Sequence, residues 1–221
     1  SALQSVLQMV PGGVLGEALD DKATEVVWWP PDQNTLVVDP AGISHIKYKG
    51  PRQAGGLSGA IYSWLGIAEQ VSFSDSVRLH LDGFFGAHEE CYACTDGEKH
   101  VLHVLGPDFK GEHRECDKPE ATALLARTYA EIWRAFAKST CSTLRLAPIA
   151  SGLNVGRWAT DIADMSIQAL TDSFSIVDDD TTACLVKKAP IHFCIFLRQH
   201  VDAWTLKFQH AHDSGLWPVF R

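Results

Sequence analysis

Three short apolar runs, Thr35 to Val38, His100 to Leu105 and Thr143 to Ile149, each stop at or near a Pro, Gly or Asp and are interleaved with longer stretches of helical periodicity. Runs this short and this continuously apolar suit strands covered on both faces. Strands that alternate with helices predict an α/β layer structure with a mostly parallel central sheet. The helical stretches are Leu57 to Leu65, Pro119 to Lys138 and Trp158 to Phe174. The second is the most clearly written: Leu125, Tyr129, Ile132, Trp133 and Phe136 recur at helical spacing, Asp117 stands where an N-cap belongs, and Pro119 falls in the first turn. Ile191 to Leu197 adds a further strand, and Trp204 to Ala211 reads equally as helix or strand. The polar break Asp178-Asp179-Asp180-Thr181-Thr182 reads as a solvated surface loop, because consecutive Asp residues without glycine-punctuated ligand spacing do not make a cation loop.

No interior stretch has the composition of a linker and no repeat is visible, so a single domain over residues 1–221 is expected. With 27 acidic residues against 19 basic ones the formal charge is −8, which leaves no basic field to hold a nucleic-acid backbone. A nucleic-acid partner is disfavoured, and a monomer is expected. No run of apolar residues is long enough to span a bilayer, and Ser1 to Val10 lacks the charged start and long apolar centre of a signal peptide. A start at Ser1 rather than Met is what an excised domain would show.

The 6 cysteines are too few for a disulfide scaffold, and several stand in apolar contexts such as Ile191-His192-Phe193-Cys194. Reduced thiols explain them and favour an intracellular setting, cytoplasmic or nuclear. The spacing His88-x-x-Cys91-x-x-Cys94, with His113-x-x-Cys116 further on, is the one alternative, a tetrahedral zinc site. The reading adopted is that no metal and no cofactor is bound, because these pairs are separated by a strand and need not converge.

In parallel α/β sheets ligands bind outside the carboxyl ends of strands, where loops lead into helices. That rule singles out Asp39 to Gly59, Gly106 to Phe109 and Ala150 to Gly156. The first contains Ala54-Gly55-Gly56-Leu57-Ser58-Gly59-Ala60-Ile61, a glycine-rich turn running into a helix. Its backbone N–H groups and helix end can hold a phosphate without a basic side chain. The third, Ala150-Ser151-Gly152-Leu153-Asn154-Val155-Gly156, also precedes a helical stretch and is a second candidate cradle. Two such loops could grip a diphosphate from both sides. At each, an ordinary turn is the plain alternative.

Taken in order, Val37-Val38-Asp39-Pro40-Ala41-Gly42, the glycine turn, His103-Val104-Leu105-Gly106-Pro107 and Ile149-Ala150-Ser151-Gly152-Leu153-Asn154-Val155-Gly156 resemble a macro domain over about Val26 to Phe208. That family carries a Val-Asn-Ala-Ala-Asn strand end, a Gly-Gly-Gly-Val-x-Gly-Ala-Ile loop, a His-x-Val-Gly-Pro strand end and an Ile-Ser-x-Gly-x-x-Gly loop. The resemblance implies a three-layer α/β/α sandwich with a mixed, mostly parallel sheet. It also implies a ligand, ADP-ribose, free or attached to protein. By that resemblance the ligand would meet Asp39 and Ala41, the segment Gly55, Gly56, Leu57, Ser58 and Gly59, and the segment Ala150, Ser151, Gly152, Leu153, Asn154, Val155 and Gly156.

The chain also departs from the family's pattern. Asp39 replaces the first Asn of the strand-end motif, and Gly42 replaces the second, which in family members contacts the distal ribose and helps hydrolysis. Ser58 stands where hydrolases of the family often have an acidic residue, Ala54 replaces a glycine and Asn154 replaces an aromatic. The family's upstream adenine-binding Asp falls near Trp28 and Trp29, with Asp20 and Asp32 as unplaced substitutes. Asp39 is then the candidate catalytic carboxylate and His45 an outsider, whereas His103 reads as a core histidine and the tryptophan pair as packing. A reader of ADP-ribose or a related nucleotide diphosphate is favoured. An ADP-ribosyl hydrolase and a degenerate fold kept as an interaction surface are the alternatives.

Overall fold

Every residue of Thr35–Asp39 is buried, with Leu36 and Val38 in one apolar cluster and Val37 in the other, so this strand has no face to give to water. Such a segment must lie inside a sheet covered on both sides. The computed structural model describes residues 6–19, 25–27, 29–83, 85–188, 190–196 and 198–214. Its strands are β1 (Leu7–Pro11), β2 (Glu17–Leu19), β3 (Glu25–Val27), β4 (Thr35–Asp39), β5 (Gly86–Cys94), β6 (Gly97–Leu105), β7 (Thr143–Leu146) and β8 (Ile191–Ile195). Its helices are α1 (Gly56–Leu65), α2 (Asp75–His80), α3 (Lys118–Lys138), α4 (Ile162–Ser173), α5 (Asp179–Lys187) and α6 (Arg198–Asp213).

Six strands form one sheet in the order β1-β8-β7-β4-β6-β5, and β2 pairs with β3 in a separate antiparallel ribbon. Pairing is parallel from β1 to β6, whereas β5 returns antiparallel on β6. Alternation along the strands assigns the two faces. Leu36, Val38, Leu102, Val104, Leu144, Leu146, Ile191 and Phe193 meet α3, α4 and α6, and Val37, Val101 and Cys194 meet the layer of α1 and α2. The result is a three-layer α/β/α sandwich with a mixed, mostly parallel sheet.

α3 forms where its periodicity places it. The Asp117 carboxylate accepts from the Glu120 N–H at 2.9 Å, Pro119 occupies the first turn, and the buried face carries Leu125, Tyr129, Ile132, Trp133 and Phe136. Trp133 is buried with its indole N–H donating to Ser173 Oγ at 2.6 Å, which ties α3 to α4.

Three expectations change and one open reading is resolved. The Asp178 to Thr182 break is not a loop. Asp178 caps α5, accepting from the Thr181 N–H at 2.7 Å, and Asp179 and Asp180 sit in the first turn, where the helix dipole favours negative charge. The third strand stops at Leu146, because Pro148 follows and cannot donate to a ladder. The stretch from Trp158 is a 3₁₀ turn at Gly156–Trp158, with α4 beginning only at Ile162. Trp204 to Ala211 resolves as helix, inside α6, with Trp204 and Ala211 on the buried side. Sequence periodicity also passed over the edge strands β1 and β5, which are too short or too polar to stand out as apolar runs.

Candidate functional site

Three neighbouring strands, in the order β7-β4-β6, run parallel, so their carboxyl ends deliver three loops to one edge of the sheet. After β4 the chain passes Ala41, buried with its N–H bonded to the Asp39 carbonyl at 2.8 Å, then a π-helical turn at His45–Lys49 and a 3₁₀ turn at Pro51–Gln53. His45 is used in that path. Its Nε2 lies 3.2 Å from the Gln53 carbonyl, which it bonds as donor to brace the loop before the glycines.

Gly55 then caps α1, and no side chain bonds the helix start and no acidic residue lies in its first turn. A Cβ built on Gly55 or Gly56 would meet nothing within 4 Å, and Gly56 has φ +58°, a conformation glycine adopts without penalty. The first-turn N–H groups therefore stand open at the positive end of a helix. Leu57, Ser58 and Gly59 follow, each partly buried.

Ser58 and Tyr62, four residues apart and so on one helical face, both turn down onto Asp39. Ser58 Oγ donates to Asp39 Oδ1 at 2.6 Å, and the Tyr62 hydroxyl donates to Oδ2 at 2.6 Å. His103, opposite Asp39 in the β4–β6 register, places Nδ1 2.8 Å from the same Oδ2. A carboxylate accepts only, so Nδ1 carries the proton, and in the neutral ring Nε2 accepts from the Tyr92 hydroxyl at 2.9 Å. Asp39 and His103 are both fully buried. Burial, reinforced by the Asp39 charge, pushes the Tyr62 hydroxyl far above its ordinary range, and burial with Glu90 and Asp39 does the same to Tyr92. Both phenols stay protonated as donors. Asp39 thus reaches the open edge only through Ser58, while His103 is a hydrogen-bonded core histidine.

The loops after β6 and β7 lock together. Phe109 N–H donates to the Asn154 carbonyl at 2.9 Å, and Gly156 has φ +55° with its missing Cβ only 2.1 Å from the Phe109 carbonyl oxygen, so no other residue fits. Ala150 is held at φ +54°, where a non-glycine residue is strained. Ser151 turns its hydroxyl back to the Pro148 carbonyl at 2.8 Å. Gly152 faces open space, Leu153 is 81% exposed, and Asn154 and Val155 are partly buried.

Sequence reasoning missed the tyrosines and a buried arginine. Arg145, on the α1 side of β7, lies 4.3 Å over the Trp29 ring and donates to the Trp29 carbonyl at 2.7 Å and the Val14 carbonyl at 3.4 Å. A charged residue inside an apolar strand run was its signal. Its Nε and His192 Nδ1 are buried without a hydrogen-bond partner. Burial, with the Arg145 charge, lowers the His192 pKa. Trp29 is thereby packing, while Trp28 and Asp20 lie outside the described residues. Asp32 is spent on the approach to β4, accepting from Asn34 N–H at 3.0 Å and Thr35 Oγ1 at 2.5 Å.

The zinc spacing does not assemble as read. His88 and Cys94 fall on one face of β5 and Cys91 on the other, since strand neighbours alternate. His88 instead bonds Ser76 Oγ at 2.9 Å and Glu90 at 3.3 Å, and His113 Nδ1 accepts from the Asp108 N–H at 3.2 Å. Cys116, with its thiol pKa raised by burial and Glu120, joins no metal-competent group among the described residues.

No protein-family model matches the chain, and no curated protein matches it in sequence. Solved structures do match in fold. An Oceanobacillus iheyensis macrodomain with ADP is similar at a TM-score of 0.62 and 13% identity, over 96% of this chain and 95% of that one. A Trypanosoma brucei macrodomain in complex with ADP is similar at 0.51 and 13% identity, over 94% and 70%. An alphavirus P23pro-zbd structure is similar at 0.54 and 16% identity; this chain covers 24% of its length and 94% of this chain is matched. The chain therefore has the macrodomain fold, at 13–16% sequence identity to these structures. Among the described residues no helix is long and apolar enough to cross a membrane.

Proposed function

We propose that this protein binds ADP-ribose, free or carried on a modified protein, with its diphosphate between the first turn of α1 and the loop Ala150 to Gly156. The observation that carries the reading is the uncapped start of α1. No side chain bonds its N–H groups and the Cβ positions of Gly55 and Gly56 are open, on the loop that leaves the carboxyl end of β4, with a second glycine-bearing loop leaving the adjacent strand β7. Backbone donors make anion binding compatible with a formal charge of −8. The ADP named in two of the similar structures has the diphosphate such a clamp would take.

Binding without cleavage is the favoured form. Hydrolysis needs a group that positions or deprotonates water. Asp39, the catalytic candidate, has both oxygens engaged by Ser58, Tyr62 and His103 and no exposed surface, so its part is to hold the α1 start in place. His45 is turned to Gln53, and Gly42 offers no side chain. Isothermal calorimetry with ADP-ribose tests the binding claim: a single saturable site is expected, and absence of heat at millimolar ligand with folded protein would end it. Incubation with mono-ADP-ribosylated protein tests the second clause, for which no released ADP-ribose is expected.

A further inference from the structure

At the opposite end of the sheet from the glycine loops, β5 and β6 pair Cys91 directly with His100, and their side chains point to the α3 side together with Glu89, Glu98 and Leu102. Cys91 Sγ lies 4.0 Å from His100 Nε2, and the ligand atoms of Cys91, Glu98 and His100 all lie within 4.8 Å of one another. A tetrahedral zinc ion with bonds of the usual length holds its ligands roughly 3.3–3.8 Å apart, so these atoms need only small side-chain rotations to converge. The other imidazole nitrogen is already committed. His100 Nδ1 lies 3.1 Å from Glu89 Oε1, so Nδ1–H donates to the carboxylate and Nε2, which faces the Cys91 thiol, carries the lone pair. A carboxylate fixing a histidine from behind is the arrangement that orients metal-ligating imidazoles.

We propose that Cys91, Glu98 and His100 form a site for a borderline-soft divalent cation, zinc above all, with Glu89 as the residue that positions His100 and water as the fourth ligand. Thiolate, imidazole and carboxylate together select zinc or cobalt over magnesium and calcium, which prefer oxygen alone. Binding exchanges the Cys91 thiol proton for the metal: the S–H bond breaks, the S–Zn bond forms, and one proton leaves to solvent. Glu89, Glu90 and Glu98 crowd this thiol with negative charge that a cation offsets. The site would staple β5, the edge strand, to β6 across their ladder, where an unpaired edge is otherwise open to other chains. A second thiol, the buried Cys141, forms a comparable group with Glu89 and His100, but that set would spend as a ligand the carboxylate that bonds His100 Nδ1.

Titrating metal-free protein with Co²⁺ tests this without reference to nucleotide binding. One equivalent is expected, with a thiolate-to-cobalt charge-transfer band and tetrahedral visible bands, both displaced by Zn²⁺. Cys91→Ser should abolish the charge-transfer band, His100→Ala and Glu98→Gln should weaken binding at least tenfold, and Glu89→Gln should weaken it about tenfold, the low end of what outer partners contribute. Cys141→Ser should leave the band unchanged. No band in folded wild-type protein, a full band in Cys91→Ser, or its loss in Cys141→Ser would each overturn the assignment. Should Cys91→Ser not fold, alkylation of Cys91 in the wild-type chain decides: Zn²⁺ should slow it at least tenfold, and an unchanged rate refutes the site.

Discussion

The two glycine-bearing loops look alike in sequence and are built differently. Ala54 to Gly59 runs directly into α1, a ten-residue helix whose start no side chain bonds, and Gly55 and Gly56 front empty space, while Gly59 clears the Ala54 carbonyl at 2.9 Å. Ala150 to Gly156 runs into a 3₁₀ turn, with α4 starting only at Ile162, and its last glycine is wedged against the Phe109 carbonyl. The first loop therefore supplies electrostatics, and the second supplies a rigid wall. Glycine leaves access at Gly55 and Gly56 in the first and gives clearance at Gly156 in the second. This is why a pattern of glycines cannot by itself tell a binding loop from a tightly packed turn.

Substitutions can break that distinction. The largest effect is expected beneath the first loop: Asp39→Ala leaves Ser58, Tyr62 and His103 without their shared acceptor in a dry interior, at a cost of about 4 kcal/mol in chemical denaturation. A loss below about 1 kcal/mol would mean that the helix start is held by something else. Gly156→Ala forces a Cβ into the Phe109 carbonyl at positive φ and should cost about 3 kcal/mol, seen as a lower thermal midpoint. If it is tolerated, the second loop is not a wall.

Gly55→Val has the reverse signature. The backbone at Gly55, φ −125° and ψ −178°, suits any residue, and a Cβ there meets nothing within 4 Å. Stability should be kept while ADP-ribose affinity in calorimetry falls about 100-fold, or about 2.7 kcal/mol. Unchanged affinity would separate the open helix start from the ligand. The smallest effect is expected at Leu153, 81% exposed on the second loop. Leu153→Ala should move stability by less than about 0.5 kcal/mol and reduce affinity about threefold by removing apolar cover from the bound sugar. A large stability change there would show that the loop tip is packed rather than free.

Much of the layer structure was legible beforehand because it is written in local terms. Thr35 to Val38 carries one polar group, the Thr35 hydroxyl, ahead of three apolar residues, and the spacing of Leu125, Tyr129, Ile132, Trp133 and Phe136 allows only a helix. Boundaries were less legible wherever one residue serves two kinds of structure. Asp178 to Asp180 suits a solvated loop and a helix start equally, and only the neighbouring apolar Leu185 facing the core decides between them. In the site, Ser58 was noticed as a departure, yet its pairing with Tyr62 four residues on could have been read from helical spacing alone. Arg145 could also have been flagged, as a charge within an apolar run, although its stacking on Trp29 could not.

By itself the sequence determined the central strands β4, β6 and β8, the long helix α3, their apolar faces, and where glycine-rich loops follow strands. These follow from side-chain period and from turn chemistry within a few residues. Tertiary structure decided which partners the buried polar side chains take. His103 is 64 residues from Asp39 and meets it only because β4 and β6 pair in parallel, and Cys91 meets His100 rather than His88 or Cys94 because an antiparallel register sets partners across strands, not along them. Hydrogen bonds and metal ligation require atoms a few ångströms apart, and that proximity is a property of strand pairing, which no local pattern encodes.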